Sequence, residues 1–195
     1  MENSNGIAQL VCAGVIALAA TMGAARAEQL DAGQWKFSAT FGCQSALSGQ
    51  TVKTAAGDVV MTTYSCGSDT IYEAVIVADY PAGTITPDAI DGHYAGAVDG
   101  AATSAKGTIR SVAPYTLGNY TGRDVVIDVP DGALAIHARM FLVSDRLYQV
   151  LFGGPNGQES SKDCLDFLNS FTLIGVDQPP AAKPAAPQAG QPASQ

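Results

Sequence analysis

The stretch IHARMFLVSDRLYQVLF, residues 136–152, decides the fold. It reads as two strands folded back on each other across Ser144-Asp145. Extending the first strand back to Leu134 puts Leu134, Ile136, Ala138, Met140 and Leu142 on one face. Ala135, His137, Arg139, Phe141 and Val143 lie on the other, because side chains alternate along a strand. The second face is only half polar, so another layer is expected to cover part of it.

Outward from this hairpin the strand pattern continues. Residues 123–129 precede Pro130-Asp131-Gly132, the strongest turn signal in the chain, and residues 108–115 precede the turn Leu117-Gly118-Asn119. Nearer the start, WKFSATF (residues 35–41) alternates apolar and polar residues. Residues 51–55 and 59–64 flank Ala56-Gly57-Asp58 as a hairpin, and IYEAVIVADY (residues 71–80) is a strand stopped by Pro81. These first four strands, joined by short turns, predict an antiparallel meander.

Two segments change period. Thr86-Pro87-Asp88 opens a helix with Thr86 as N-cap, Pro87 at the first helical position and Asp88 favourably placed on the dipole. Ile90, Tyr94, Ala97, Val98, Ala101 and Ala102 form its apolar stripe, with His93 at the boundary as a satisfied ring. SSKDCLDFLNSF (residues 160–171) is the second helix, capped by Ser160 or Ser161. Cys164, Leu165, Leu168 and Phe171 lie on one side, and residues 172–174 either add a short strand or pack down. The fold class is therefore α+β: a mostly antiparallel twisted sheet of about seven or eight strands with two packed helices.

The ends read differently. Residues 7–20 are almost unbroken Ile, Leu, Val and Ala and run into Ala25-Arg26-Ala27, a small-x-small cleavage pattern. Residues 1–27 are read as a secretory signal peptide cut before Glu28, since a membrane span needs roughly 20 apolar residues. The preceding Met1–Gly6 carries Glu2 and no Lys or Arg, a departure from the usual basic start, and a membrane anchor is the competing reading. Cys12 is discarded with the peptide. Residues 176–195, VDQPPAAKPAAPQAGQPASQ, hold five prolines and no aromatic residue. Such a segment buries too little apolar surface to offset its ordering entropy, and a disordered Pro/Ala-rich tail is expected. Residues 28–175 then have the size of one domain.

The formal net charge is −8, with no cluster of either sign. An acidic surface without a basic patch argues against nucleic acid as a partner. No integral membrane segment remains after processing. Cys43, Cys66 and Cys164 remain, which in an oxidising compartment implies one disulfide and one spare thiol. None has metal-ligand spacing, and no cofactor is expected.

No catalytic frame emerges. There is no Gly-x-Ser-x-Gly elbow, no phosphate-cradling loop and no His-Glu-x-x-His. Asp88 and Asp91, three apart, read as helix N-terminal acids rather than an acid–base pair. Arg123, Arg139 and Arg146 are candidates for an anion site. Cross-strand pairs with Asp124, Asp128 and Asp145 account for the same charges.

The segments GNYTGRDVVIDVPDG (118–132), ARMFLVSDRLYQVLF (138–152) and SSKDCLDFLNSF (160–171) resemble a family of secreted bacterial domains of uncharacterised function. That family is similar to the PsbP/Mog-like α/β sandwich, the fold of a photosystem II extrinsic subunit and of a Ran-binding import factor. Gly122-Arg123, Asp131-Gly132, Asp145-Arg146-Leu147-Tyr148, Phe167-Leu168 and Asp79-Tyr80-Pro81 carry the resemblance. These are turn and core residues, so the resemblance implies a fold and transfers no catalytic residue. The implied topology brings all three thiols towards one end and favours Cys43–Cys66 as the bridge, worth roughly 3 kcal/mol, with Cys164 free or an alternative partner. The expected function is a periplasmic or secreted, non-catalytic binding or accessory module for a protein or small-molecule partner. Its contact surface would be the groove between sheet and helix or the half-apolar sheet face. The alternatives are a thiol-redox protein or enzyme using the unpaired cysteine, and an envelope structural protein tethered by its Pro-rich tail.

Overall fold

The computed structural model describes residues 27–54, 57–130 and 133–176. All but the last residue of the expected signal peptide (1–27), all but the first of the expected tail (176–195) and the Asp131-Gly132 turn lie outside the described residues. The elements run β1 (Glu28–Ala32), β2 (Phe37–Phe41), β3 (Ala46–Thr54), β4 (Gly57–Gly67), β5 (Tyr72–Asp79), α1 (Ile90–Ser104), β6 (Thr108–Leu117), β7 (Tyr120–Asp128), β8 (Leu134–Val143), β9 (Arg146–Pro155), α2 (Lys162–Ser170) and β10 (Thr172–Leu173).

Seven strands form one antiparallel sheet in the order β3-β4-β5-β9-β8-β7-β6. The chain builds β3 to β5 as a meander, crosses one face through α1, and meanders back from β6 until β9 pairs with β5. The deciding hairpin is β8–β9, in register from Leu134 opposite Pro155 to Val143 opposite Arg146. Its tip turns at Ser144, φ 53°. The Asp145 carboxylate accepts the N–H groups of Gly83 at 2.8 Å and Ile85 at 3.0 Å, pinning the tip to the loop after β5. Gly122 on β7 has no room for a side chain: a Cβ there would lie 2.2 Å from the Met140 carbonyl oxygen.

The expected four-strand opening meander is corrected. Gly33–Trp35 form a 3-10 turn, and Lys36 adopts a left-handed conformation, φ 57°, so the strand starts at Phe37. β2 then leaves the main sheet and sits between β1 and β10 in a separate three-stranded sheet. Alternation showed that one face of β2 is buried, which Phe37, Ala39 and Phe41 satisfy. It carried no information on which sheet they cover.

Each face of the main sheet has its own core. On one, Tyr94, Ala97, Val98, Ala101 and Ala102 of α1 pack on Met61, Ile76, Ile127, Met140 and Leu151, among others. On the other, Cys164, Phe167 and Leu168 of α2, with Phe171 just after it, join the apolar face of β2 over Tyr64, Val75, Val77, Phe141, Tyr148 and Phe152. The result is an α+β sandwich of three layers.

The start of α1 differs in detail from expectation, and that of α2 takes one of its two expected caps. Thr86 and Pro87 open a 3-10 turn, Pro87–Ala89, with no side-chain cap from Thr86, and Ile90 stays partly exposed. Ser161, not Ser160, caps α2, accepting the Cys164 N–H at 3.2 Å. Ser160 instead ends a 3-10 turn, Gln158–Ser160.

Candidate functional site

The half-polar face of β8 is where α2 lands. His137 places Nδ1 2.6 Å from the Glu159 carbonyl oxygen and Nε2 2.8 Å from Asp124 Oδ1. Both partners accept, so both ring nitrogens donate and the ring is an imidazolium. Burial works against that charge. The Asp124 carboxylate, the Cys164 sulfur and the Glu159 carbonyl override it and push the His137 pKa up to about 10. Asp124 behaves reciprocally: burial would raise its carboxyl, but His137 and Arg139 hold it below the usual carboxylate range.

Arg139 completes the cluster. Its Nε donates to Asp124 Oδ2 at 3.1 Å, its Nη1 donates to Asn169 of α2 at 2.7 Å, and its guanidinium stacks 4.1 Å from the Tyr115 ring centroid. Cys164, fully buried, donates to the Glu159 carbonyl at 3.2 Å and lies 3.7 Å from His137 Nδ1. A Cys-His-Asp sequence of contacts is thus present. In catalysis such a histidine must accept the thiol proton. Here the facing nitrogen already carries a proton committed to a carbonyl. The cluster clamps α2 onto β7 and β8.

Arg110 extends the clamp to the edge of the sheet. It sits at a register shift in β6 between Ile109 and Ser111. It pairs with Asp128 and Glu159 and donates to Asn156 Oδ1 at 2.8 Å. Nothing in its own sequence context marked it; the bulge and the loop before α2 create its role.

The three arginines singled out from sequence do not converge. Arg123 faces α1, donating to Asp91 at 2.7 Å with its guanidinium 4.6 Å from the Tyr94 ring centroid. Arg139 and Arg146 face the other way, and Arg146 pairs with Asp79. Of the expected cross-strand pairs, Arg139–Asp124 forms. Asp128 instead serves Arg110, and Asp145 serves backbone N–H groups. Asp91 is committed to Arg123, whereas Asp88 sits in the preceding 3-10 turn.

His93 was expected as a satisfied boundary ring. It is buried, it meets the Tyr80 ring edge-on at 5.6 Å, and its Nδ1 has no hydrogen-bond partner among the described residues. The same holds for both side-chain polar atoms of Gln149, which is completely buried.

On the α1 side a groove of about 280 Å³ opens between α1 and the edge of the sheet. Asp91, Tyr94, Ala95, Val98 and Asp99 form one wall, Ile109 and Val112 of β6 the other, with Arg123 at the base. Val112 is 48 % exposed, although it lies on the face that is core further in. Tyr94 is fixed there, its hydroxyl donating to the Thr121 carbonyl at 2.7 Å and accepting the Leu142 N–H at 2.9 Å. α1 does not reach across the edge strand, so the groove combines apolar walls with one cation and two carboxylates.

Cys43 and Cys66 are bridged, with Cα atoms 5.8 Å apart, and among the described residues Cys164 is the free thiol. Beside the bridge, Glu73 is 7 % exposed; its Oε2 accepts the Gly42 N–H at 2.6 Å and lies 3.8 Å from Cys66 Sγ. Burial pushes the Glu73 carboxyl pKa up, Gly42 opposes this, and the charge of Asp163 adds to the rise. Among the described residues no group of three or more His, Cys, Asp or Glu is placed to hold a metal ion, and no helix is long and apolar enough to cross a membrane.

No protein-family model matches the sequence, and no curated protein does. Among solved structures, cyanobacterial PsbP (CyanoP) from Synechocystis sp. PCC 6803 is similar in fold. It superposes with a TM-score of 0.51 at 12 % identity, covering 83 % of this chain and all of that one. The chain has a PsbP-like fold.

Proposed function

We propose that this chain is an exported, periplasmic binding or accessory module without catalysis of its own, and that it contacts its partner through the groove between α1 and β6. The observation that carries this reading is the contrast in commitment. His137, Arg139 and Cys164 are buried and, with half-buried Asp124, engaged with one another, whereas the groove presents exposed Ile109 and Val112 beside Arg123 and Asp99. Binding sites typically combine apolar walls with a few placed polar groups.

Several features support export. The bridge Cys43–Cys66 belongs to an oxidising compartment. The apolar run ending at Ala25-Arg26-Ala27 has the form of a cleaved leader. Residues 28–175 serve as one folded unit, and the proline-rich remainder as a spacer. The net charge of −8 disfavours nucleic acid, leaving a protein or a small molecule as partner. A redox role for Cys164 is less well supported, because a reactive thiol needs access and this one is fully buried. The tethering role is tested by deleting residues 176–195; unchanged localisation removes it.

The direct test is a photo-crosslinking residue placed at Val112 and, as control, at Leu47 on the opposite edge, in cells making the full chain. Both positions are exposed. The expected result is a discrete adduct from Val112 alone, with the mature mass starting at Glu28. Identical patterns from both positions would overturn the groove, and a retained leader would overturn export.

A further inference from the structure

We propose that the Cys43–Cys66 bridge is a thiol–disulfide exchange site, in which an external low-molecular-weight thiol attacks Cys43 and the Glu73 carboxyl group protonates Cys66 as it leaves. This goes beyond the binding role and does not depend on the groove.

The two sulfurs are unequally placed. Cys43 lies half-buried in the connection between β2 and β3, whereas Cys66, on β4, is 8 % exposed. An incoming thiolate therefore meets Cys43 first, and the departing charge falls on the buried Cys66. A thiolate formed in apolar surroundings is a poor leaving group unless it is protonated as it forms. Glu73 stands directly opposite Cys66 in the β4–β5 register, with Oε2 3.8 Å from the sulfur. As a carboxylic acid, that oxygen can accept the Gly42 N–H and still donate its proton to sulfur.

The Gly42 contact does not by itself explain an ionisable residue here, since a neutral amide would accept the same bond without the cost of burying a carboxylate. The surroundings favour the protonated form. Phe152 is the β9 partner of Glu73, and Asp163, from the first turn of α2, supplies a negative charge.

The step balances. The external sulfur bonds to Cys43, the Cys43–Cys66 bond breaks with its electron pair on Cys66, and that pair takes the Glu73 proton, leaving a carboxylate. A second external thiolate attacks the external sulfur of the mixed disulfide and releases an oxidised small disulfide and the Cys43 thiolate. Reoxidation by an external disulfide runs the same steps backwards, with the Glu73 carboxylate accepting the Cys66 proton. The bridge ties the segment that leaves β2 to β4 of the main sheet, so its cleavage removes one covalent cross-link between the two sheets.

The test treats the oxidised full chain with glutathione from about pH 5 to pH 8, with acid quenching, intact mass and peptide mapping. Glutathione is expected on Cys43, with Cys66 recovered as a thiol. The rate, divided by the glutathione thiolate fraction, should fall as pH rises through the Glu73 titration. Glu73→Gln should remove that dependence and slow the low-pH rate by about tenfold or more. Glutathione on Cys66, no adduct at all, or a pH-independent corrected rate in the unaltered chain would overturn the proposal. Superimposable profiles for the unaltered chain and E73Q would do the same. The mapping and the pH profile need only the unaltered chain, so they decide even where E73Q fails to fold.

Discussion

The two faces of the seven-stranded sheet are closed in different ways. The α2 face is held by aromatic stacking and by a buried ion cluster. Phe171 stacks on Phe141 with ring centroids 5.9 Å apart and on Phe37 at 5.6 Å, while Arg139, Asp124 and His137 bind side chain to side chain. The α1 face is held by small residues, Ala97, Ala101 and Ala102, around the single large anchor Tyr94. It leaves His93 Nδ1 and both side-chain polar atoms of Gln149 without a hydrogen-bond partner among the described residues and its edge open as a groove. Residues with catalytic potential thus lie where they are structurally engaged, and the open surface lies where no reactive constellation does. Chemical type alone is therefore a poor guide to function here; the commitment of each group decides.

Truncation should separate the faces most. Phe171→Ala is expected to cost about 4 kcal/mol in urea unfolding, against about 2 kcal/mol for Val98→Ala on the α1 face. Equal losses would break the comparison. Next comes the ion cluster. Asp124→Ala leaves the imidazolium and guanidinium facing each other without their carboxylate and should cost about 3 kcal/mol by the same measurement.

The cluster also sets a pH dependence. The folded pKa of His137, about 10, lies above its unfolded value near 6.5. Its contribution is therefore complete below about pH 6.5 and is lost as pH rises towards 10. Unfolding free energies across that window should decline in the parent and lose that component in His137→Gln.

Smaller effects belong to the α1 face. Gln149→Met removes a buried amide that meets no protein partner and should gain about 1 kcal/mol. Val112→Ser, at the groove, should change stability by less than about 0.5 kcal/mol while weakening any complex formed there.

The hairpin β8–β9 was legible because its alternation, tip residues and length agree. α2 was legible from its serine cap and apolar stripe. The small sheet was not, because β1–β2–β10 joins the two ends of the described fold, and EQLDA carries little pattern of its own. The His137–Cys164 contact joins residues 27 apart through the turn of α2 onto β8, a tertiary fact that no local spacing encodes. Glu73 left a readable trace. It is the one charged residue inside the fully buried run of β5, where an apolar side chain would serve packing better. The bridge Cys43–Cys66 followed from the topology that the resemblance implied, and it forms.

The central claim is that the His137–Asp124–Arg139–Cys164 cluster under α2 is closed and structural. The most direct test is iodoacetamide labelling of Cys164 in the oxidised full chain, followed by mass mapping from native conditions through the urea transition. The predicted result is labelling under native conditions at least about a thousandfold slower than in the unfolded chain, accelerating with urea in step with global unfolding. Labelling under native conditions at the rate of an exposed thiol would contradict it, and would return the His137–Cys164 contact to consideration as a reactive site.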